Sequence, residues 1–278
     1  MNILITGAKG NIGTYLCNIL SKSHVIYGFD KIGLDVMDKI STERTISELN
    51  IDAVIHTAAI TNKYACEYNE ALAYSVNTVG TLNIAHCCNL LNIPILYLST
   101  ADVYGNNKSS PFSETDECLP LNAYAKSKLR GEELIQTICS KFFIVRTANI
   151  FGGNDCFIRK LVNGSHTAIY LFSDPDFSIT YIKDLTEVLE MLLATDKYGV
   201  YNYSNEGWLS KSTLINSVIK LANLNTPLVL NSDNILSNVI KESKYSCLNS
   251  DHIKCSLDIE IPCWNDRLKD YINLCQKA

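Results

Sequence analysis

Three glycines set between two apolar runs restrict this chain more than any other feature of its 278 residues. Asn2 to Thr6 reads as a short buried strand. Gly7, Gly10 and Gly13 then form a GxxGxxG loop that opens a helix through Leu20, and a second strand, His24 to Phe29, ends on Asp30. A glycine pattern alone says little, but one that follows a strand, opens a helix and has its acid about 20 residues on specifies a βαβ unit shaped for a dinucleotide. Glycine tolerates positive φ and lets backbone approach a ligand closely. The helix N-terminus offers unpaired N–H groups and partial positive charge to a pyrophosphate. An acid closing the second strand accepts the hydroxyls of an adenosine ribose.

Composition narrows the partners. Hydrophobic residues make up 47% and charged residues 19%, the profile of a soluble globular protein, and the formal net charge of −5 supplies no basic footprint for nucleic acid. No apolar run reaches membrane-spanning length, and the N-terminus lacks the basic start of an export signal, so a cytoplasmic location is expected. Eleven cysteines, an odd number with no CxxC, fit reduced thiols and no metal site.

Strands are expected at 53–56, 94–99 and 142–145. Helices are expected at 39–49, 69–91 and from the cap Asn122 onward. This alternation predicts an α/β fold, a doubly wound parallel sheet of the Rossmann kind with helices on both faces. After residue 150 the rhythm breaks into short pieces: a helix at 157–162, a strand-like run at 169–172, then helices at 183–194, 211–221 and 264–275, with a strand at 200–203. We therefore expect a dinucleotide domain over 1–150 with return segments near 178–203. A smaller substrate-binding domain is expected over 151–177 and 204–278. Residues 225–262, rich in Asn and Ser, give no clear pattern.

Several residues have two readings. Asp35 and Val36 suit either an adenine edge or a polar loop. Ala58 and Ala59 leave room for a flat cofactor or for tight helix packing. Asn77 and Asn83, inside a helix, must find partners, as structural bridges or as a relay. His56 and His86 read as satisfied interior histidines, Arg146 as the partner of a core carboxylate, and Trp208 and Trp264 as packing residues. Arg159 and Lys160 suit a pyrophosphate clamp or a solvated helix face. Cys156 lacks an activating base, and Asp174 and Asp176, with Pro175 between them, suit a turn.

Chemistry concentrates beyond the fourth strand. STADVYG puts hydroxyls and a carboxylate, Asp102, at the carboxyl edge of the sheet, where ligands of parallel sheets bind. Tyr124 and Lys128 share one helix face further on, four residues apart. A free tyrosine is a poor base at neutral pH. An ammonium beside it lowers its pKa toward working pH. The same lysine suits a nicotinamide ribose, and Thr100 would hold the substrate oxygen beside the phenol.

GAKGNIG, HTAA, NTVGTLN, STADVYG, YAKSK and VRTANIFG, in this order, resemble the extended short-chain dehydrogenase/reductase family that acts on nucleotide sugars. SITYIKDLTEVL, GVYNYSNEGWLSKSTLI and IEIPCWNDRLKDYI extend the likeness over nearly the whole chain, nearest the dTDP-4-dehydrorhamnose reductase-like subgroup. The resemblance implies Thr100, Tyr124 and Lys128 as catalytic triad. It implies Gly7, Gly10, Asn11, Ile12, Gly13, Asp30, Asp35, Val36, Ala58 and Ala59 along the dinucleotide. It places Asn149 and the turn Phe157 to Lys160, with Arg159, toward the sugar nucleotide. Two departures matter. Ala101 stands where dehydratases carry an acid, which disfavours loss of water. Phe177 stands where epimerases carry an arginine, which favours the reductases. Asp30 argues for NAD, whereas Lys31 beside it suits the extra phosphate of NADP; the balance leans to NAD. The implied activity is reduction of the C4 ketone of a nucleotide-linked 4-keto-6-deoxyhexose. A nucleotide-sugar epimerase with tightly held NAD and a non-catalytic dinucleotide-binding subunit are the alternatives. A homodimer is compatible with the sequence, which carries no signal for oligomeric state.

Overall fold

The structure, a computed structural model, describes residues 1–153, 155–164, 167–230 and 240–277. Position 154 of the FGGND loop and residues 231–239 of the Asn/Ser-rich stretch lie outside the described residues. The first crossover is β1 (Asn2–Thr6), α1 (Asn11–Leu20) and β2 (Val25–Phe29). Next come α2 (Lys39–Glu48), β3 (Ala53–His56), α3 (Lys63–Tyr68), α4 (Glu70–Tyr74), a π-helical turn (Ser75–Gly80) and α5 (Thr81–Leu90). β4 (Ile95–Thr100) leads through a 3-10 turn (Ala101–Tyr104) to α6 (Ala123–Ile138) and β5 (Phe142–Thr147). The remainder is β6 (Ile150–Phe151), α7 (Phe157–Asn163), β7 (Ile169–Leu171), β8 (Asp176–Phe177), β9 (Thr180–Tyr181), α8 (Ile182–Leu193), β10 (Gly199–Tyr203), β11 (Leu209–Ser210), α9 (Lys211–Leu221), β12 (Leu228–Leu230), β13 (Tyr245–Ser246), α10 (Asp251–Leu257) and α11 (Trp264–Lys277).

Six strands form one parallel sheet in the order β2-β1-β3-β4-β5-β10. Every residue of β3 and β4 is buried, so these strands read as continuous apolar runs rather than alternating ones. The order reverses between β1 and β3, and the carboxyl ends of strands at such a reversal form a binding crevice. Gly7 and the residues after His56 lie at this point.

One face of the sheet packs Ile3, Ile5 and Leu96 against Leu16 and Leu20 of α1 and Leu185, Leu189 and Leu192 of α8. The other packs Leu4, Val54 and Ile144 against Ile46, Ile84 and Ile135. A separate cluster draws its residues from beyond position 150, among them Phe151, Ile158, Phe177, Leu214, Leu268 and Tyr271. Ile253 and Ile261 instead join the first core, so the segment around α10 returns to the sheet.

The expected helix 69–91 is interrupted. α4 and α5 run on through the π-helical turn, a feature that recurs at functional sites. There Asn77 Oδ1 accepts from Ile60 N at 2.8 Å, and its Nδ2 donates to Ile60 O at 3.0 Å and Ser127 Oγ at 2.9 Å. Asn83 Nδ2 donates to Val36 O at 2.8 Å. Both asparagines are structural bridges. A separate α3 is not among the expected helices. Its signal is a pair of asparagine caps: Asn62 accepts from Ala65 N and Asn69 from Leu72 N.

Candidate active site

The cofactor end of the crevice is built on close backbone approach. Gly7 has φ +70°, and a Cβ there would lie 2.9 Å from Ala58 N, so the loop rests directly on the end of β3. A Cβ on Gly13 would lie 2.2 Å from Gly7 O, which requires glycine where α1 passes the loop. Gly10 begins α1 without a side-chain cap, so no hydroxyl or carboxylate of the cap residue competes for the first N–H groups. An uncapped helix start behind a glycine turn fits a pyrophosphate.

The other candidates fall into different settings. Asn11 Oδ1 accepts from Asp155 N at 3.4 Å and fills the space above Gly153, while Ile12 packs on the first core. Asp30 is ion-paired with Lys9 and accepts from Ile32 N at 3.2 Å and Gly33 N at 3.0 Å. The Lys9 contact, then the Gly33 amide, holds its carboxyl below the ordinary range. Lys31 is exposed next to it. Asp35 accepts from Met37 N at 3.0 Å, and Val36 is buried against Gly80. The Val36 side chain packs into the core, a setting that neither the adenine-edge nor the polar-loop reading named. Ala58 N shares the Thr6 hydroxyl at 3.2 Å, and Ala58 and Ala59 are both partly exposed.

At the far end, Asn122 Oδ1 accepts from Ala125 N at 3.0 Å and caps α6, as its position implies, placing Tyr124 in the first turn. Thr100, last residue of β4, accepts from Asp102 N at 3.2 Å, and its side chain is near enough to the Tyr124 phenol to act on its ionisation. Thr100 and Tyr124 come together between one strand end and one helix face, whereas Lys128 is aimed differently from the expectation. Its Nζ donates to Leu98 O at 2.8 Å and stands 3.8 Å from the centroid of the Tyr97 ring. Burial pulls this ammonium down to about 7, opposed by Glu132. The Tyr124 phenol is shifted up, not down: burial is the main cause and the Asp102 carboxylate the next, with Thr100 opposing them. Asp102 itself pairs with Lys63 at 2.9 Å. Asn149, with φ +37°, is exposed at the end of β5, and Phe157 is exposed on α7, where Arg159 is partly buried.

Behind the site lies a polar network that sequence reasoning finds only in part. Arg146 grips Glu132 through Nε at 3.1 Å and Nη2 at 2.7 Å, as the core pairing requires. Ser99 Oγ also bonds Glu132, Arg146 Nη1 donates to Tyr104 at 2.9 Å, and Tyr104 donates to Asn202 at 2.8 Å. His56 is wholly buried between the hydroxyls of Thr6 (2.7 Å) and Thr81 (3.0 Å), and burial, then Lys128, lowers it to about 3, so the ring is neutral. His86, expected inside, is exposed because it faces outward from α5. Trp208, expected to pack, is 52% exposed, whereas Trp264 packs on the third cluster. The Cys156 thiol meets the Tyr271 hydroxyl at 3.3 Å. Asp174 accepts from Ser212 N at 2.7 Å in the irregular stretch before β8, where Asp176 is already strand rather than the expected turn, and no cluster of metal-binding groups occurs among the described residues.

A family model described as the RmlD substrate binding domain matches residues 1–277. The chain belongs to this family. A relative named dTDP-4-dehydrorhamnose reductase from Aggregatibacter actinomycetemcomitans is 30% identical, over 96% of this chain and 97% of its own. A crystal structure of a dTDP-4-dehydrorhamnose reductase from Clostridium acetobutylicum superposes with TM-score 0.94 at 28% identity, covering 99% of this chain and 100% of that one. The Bacillus anthracis enzyme of the same name, solved in complex with NADP, gives 0.91 at 26% identity, over 98% and 99% of the two chains. The overall fold is thus shared with reductases of this name. No helix among the described residues is long and apolar enough to cross a membrane.

Proposed function

We propose that this protein uses NAD(P)H to reduce the C4 ketone of a nucleotide-diphosphate-linked 4-keto-6-deoxyhexose. The observation that carries the reading is the approach of Thr100 and Tyr124 at the carboxyl end of β4, beside the strand-order reversal. Full-length likeness to reductases named for such a substrate supports it. When bound, the cofactor supplies the hydride. Thr100 orients the ketone oxygen, and the Tyr124 hydroxyl gives it a proton. A phenol shifted upward keeps its proton at neutral pH, which is the loaded state of an acid. Lys128, one turn further along α6, is our candidate for the nicotinamide ribose. Residues 1–150 and 178–203 would hold the cofactor. Residues 151–177 and 204–278 would grip the sugar nucleotide, with Asn149, Phe157 and Arg159 facing it.

The test is an assay with a dTDP-linked 4-keto-6-deoxyhexose. Reduced cofactor should disappear mole for mole with substrate. Interconversion of sugars with no net change in reduced cofactor would select the epimerase reading, and binding without turnover the regulatory one.

Asp30 alone would favour NAD, but its ion pair with Lys9 brings a cation that would suit a 2′-phosphate. We infer that both cofactors are accepted. Lys9→Ala should raise KM for NADPH about tenfold by removing one charge-assisted contact, and lower or spare that for NADH. Equal effects on the two cofactors in steady-state assays would refute this role.

A further inference from the structure

Lys63 bridges two carboxylates at the mouth of the candidate site: Asp102 at 2.9 Å and Glu242 at 3.4 Å. Neither α3, which carries Lys63, nor the segment around Glu242 belongs to the triad. That segment lies across the site on several further bonds. Asn122 Nδ2 donates to Lys241 O at 3.1 Å, Ser243 Oγ to Gly105 O at 2.6 Å, and Lys244 N to Asn106 Oδ1 at 2.7 Å. Asp102, in turn, is locked to Thr100 through its own amide. A carboxylate whose charge acts on the Tyr124 phenol is therefore held by a lysine from another element.

We propose that Lys63 is a positioning residue for the reaction: it neutralises Asp102 beside the Tyr124 hydroxyl, so that the phenol can release its proton to the substrate. This rests on Tyr124 being the proton donor. Charge next to a phenol sets how readily it ionises, and an unpaired carboxylate there opposes phenolate formation. Lys63 suits the task because its two partners keep it cationic against the pull of burial, which acts in the opposite direction. Among the described residues, the other groups facing the phenol or its turn of helix are few. Cys66 and Glu67 come from α3, where Glu67 Oε2 accepts from Ala123 N at 2.9 Å. Lys128 on α6 is turned to Leu98, and Glu242 reaches the group only through Lys63. Asp102 is the largest named charge acting on Tyr124.

The experiment is a two-residue cycle read by pH profiles and by NMR titration of ring-labelled tyrosine, with the Tyr124 signal assigned from Tyr124→Phe. Asp102→Asn, nearly the same shape, should lower the titration of Tyr124 and the basic limb of kcat/KM by about one pH unit. Lys63→Met should cut kcat about tenfold, the scale of one unit of such a shift. Lys63→Arg should retain activity, and the Lys63→Met/Asp102→Asn pair should recover most of it. Two results overturn the proposal: a Tyr124 signal and basic limb that do not move in Asp102→Asn, or additive losses in the double variant, as expected if Lys63 only anchors the covering segment. Full activity in Tyr124→Phe would instead reject the proton-donor assignment itself.

Discussion

Replacing Tyr124 by phenylalanine should lower kcat by about a hundred- to ten-thousandfold, the usual contribution of a positioned proton donor, while cofactor affinity stays the same. The ring of Tyr124 stays in the first turn of α6, capped by Asn122, so the substitution removes one oxygen and little else. Thr100 would then hold the substrate oxygen with no proton to give it. Absorbance of the reduced cofactor tracks turnover, and its binding is measured separately by fluorescence. A variant with near-normal kcat would move the acid elsewhere and leave the convergence of Thr100 and Tyr124 without a chemical purpose.

The second large effect is on stability. Arg146→Met should cost about 3–5 kcal/mol, because it leaves Glu132 charged inside the protein without its partner. Glu132 is 0% exposed, and Arg146 supplies its bidentate contact from the neighbouring β5. The Tyr104 hydroxyl loses its Arg146 donor at the same time, while keeping its own bond to Asn202 on β10. Denaturant titration measures the loss. A midpoint close to that of the parent chain would mean that Glu132 takes up a proton or finds water at little cost. Replacing Arg146 and Glu132 together by apolar residues should be milder than the single change, since it removes both charges rather than stranding one.

The frame of the molecule is legible in the sequence because its signals are local. Gly7, Gly10 and Gly13 between two apolar runs fix the first crossover, and the fully buried runs of β3 and β4 announce a sheet covered on both sides. Thr100 and Tyr124 are legible through their places after β4 and at the start of α6. The features that spacing misses depend on direction in space. Spacing puts Lys128 one turn from Tyr124, but only coordinates show its ammonium turned to Leu98. Val36 and His86 look alike on either side of a helix or loop until the packing is known. The Lys63–Asp102 pair joins residues almost forty positions apart, with no periodicity to announce it.

The π-helical turn at Ser75–Gly80 carries a wider consequence. Its Asn77 holds Ser127 Oγ, and Ser127 Oγ donates to the main-chain oxygen of Tyr124 at 2.7 Å. Tyr124 is thus indexed to a winding defect in a neighbouring helix, not only to its own cap. Removing one residue from that turn would rotate the rest of the helix by roughly 100° and carry the asparagine off its mark. Drift in the length of this helix is therefore constrained as tightly as drift in the reacting side chains, although none of its residues need ever touch a sugar.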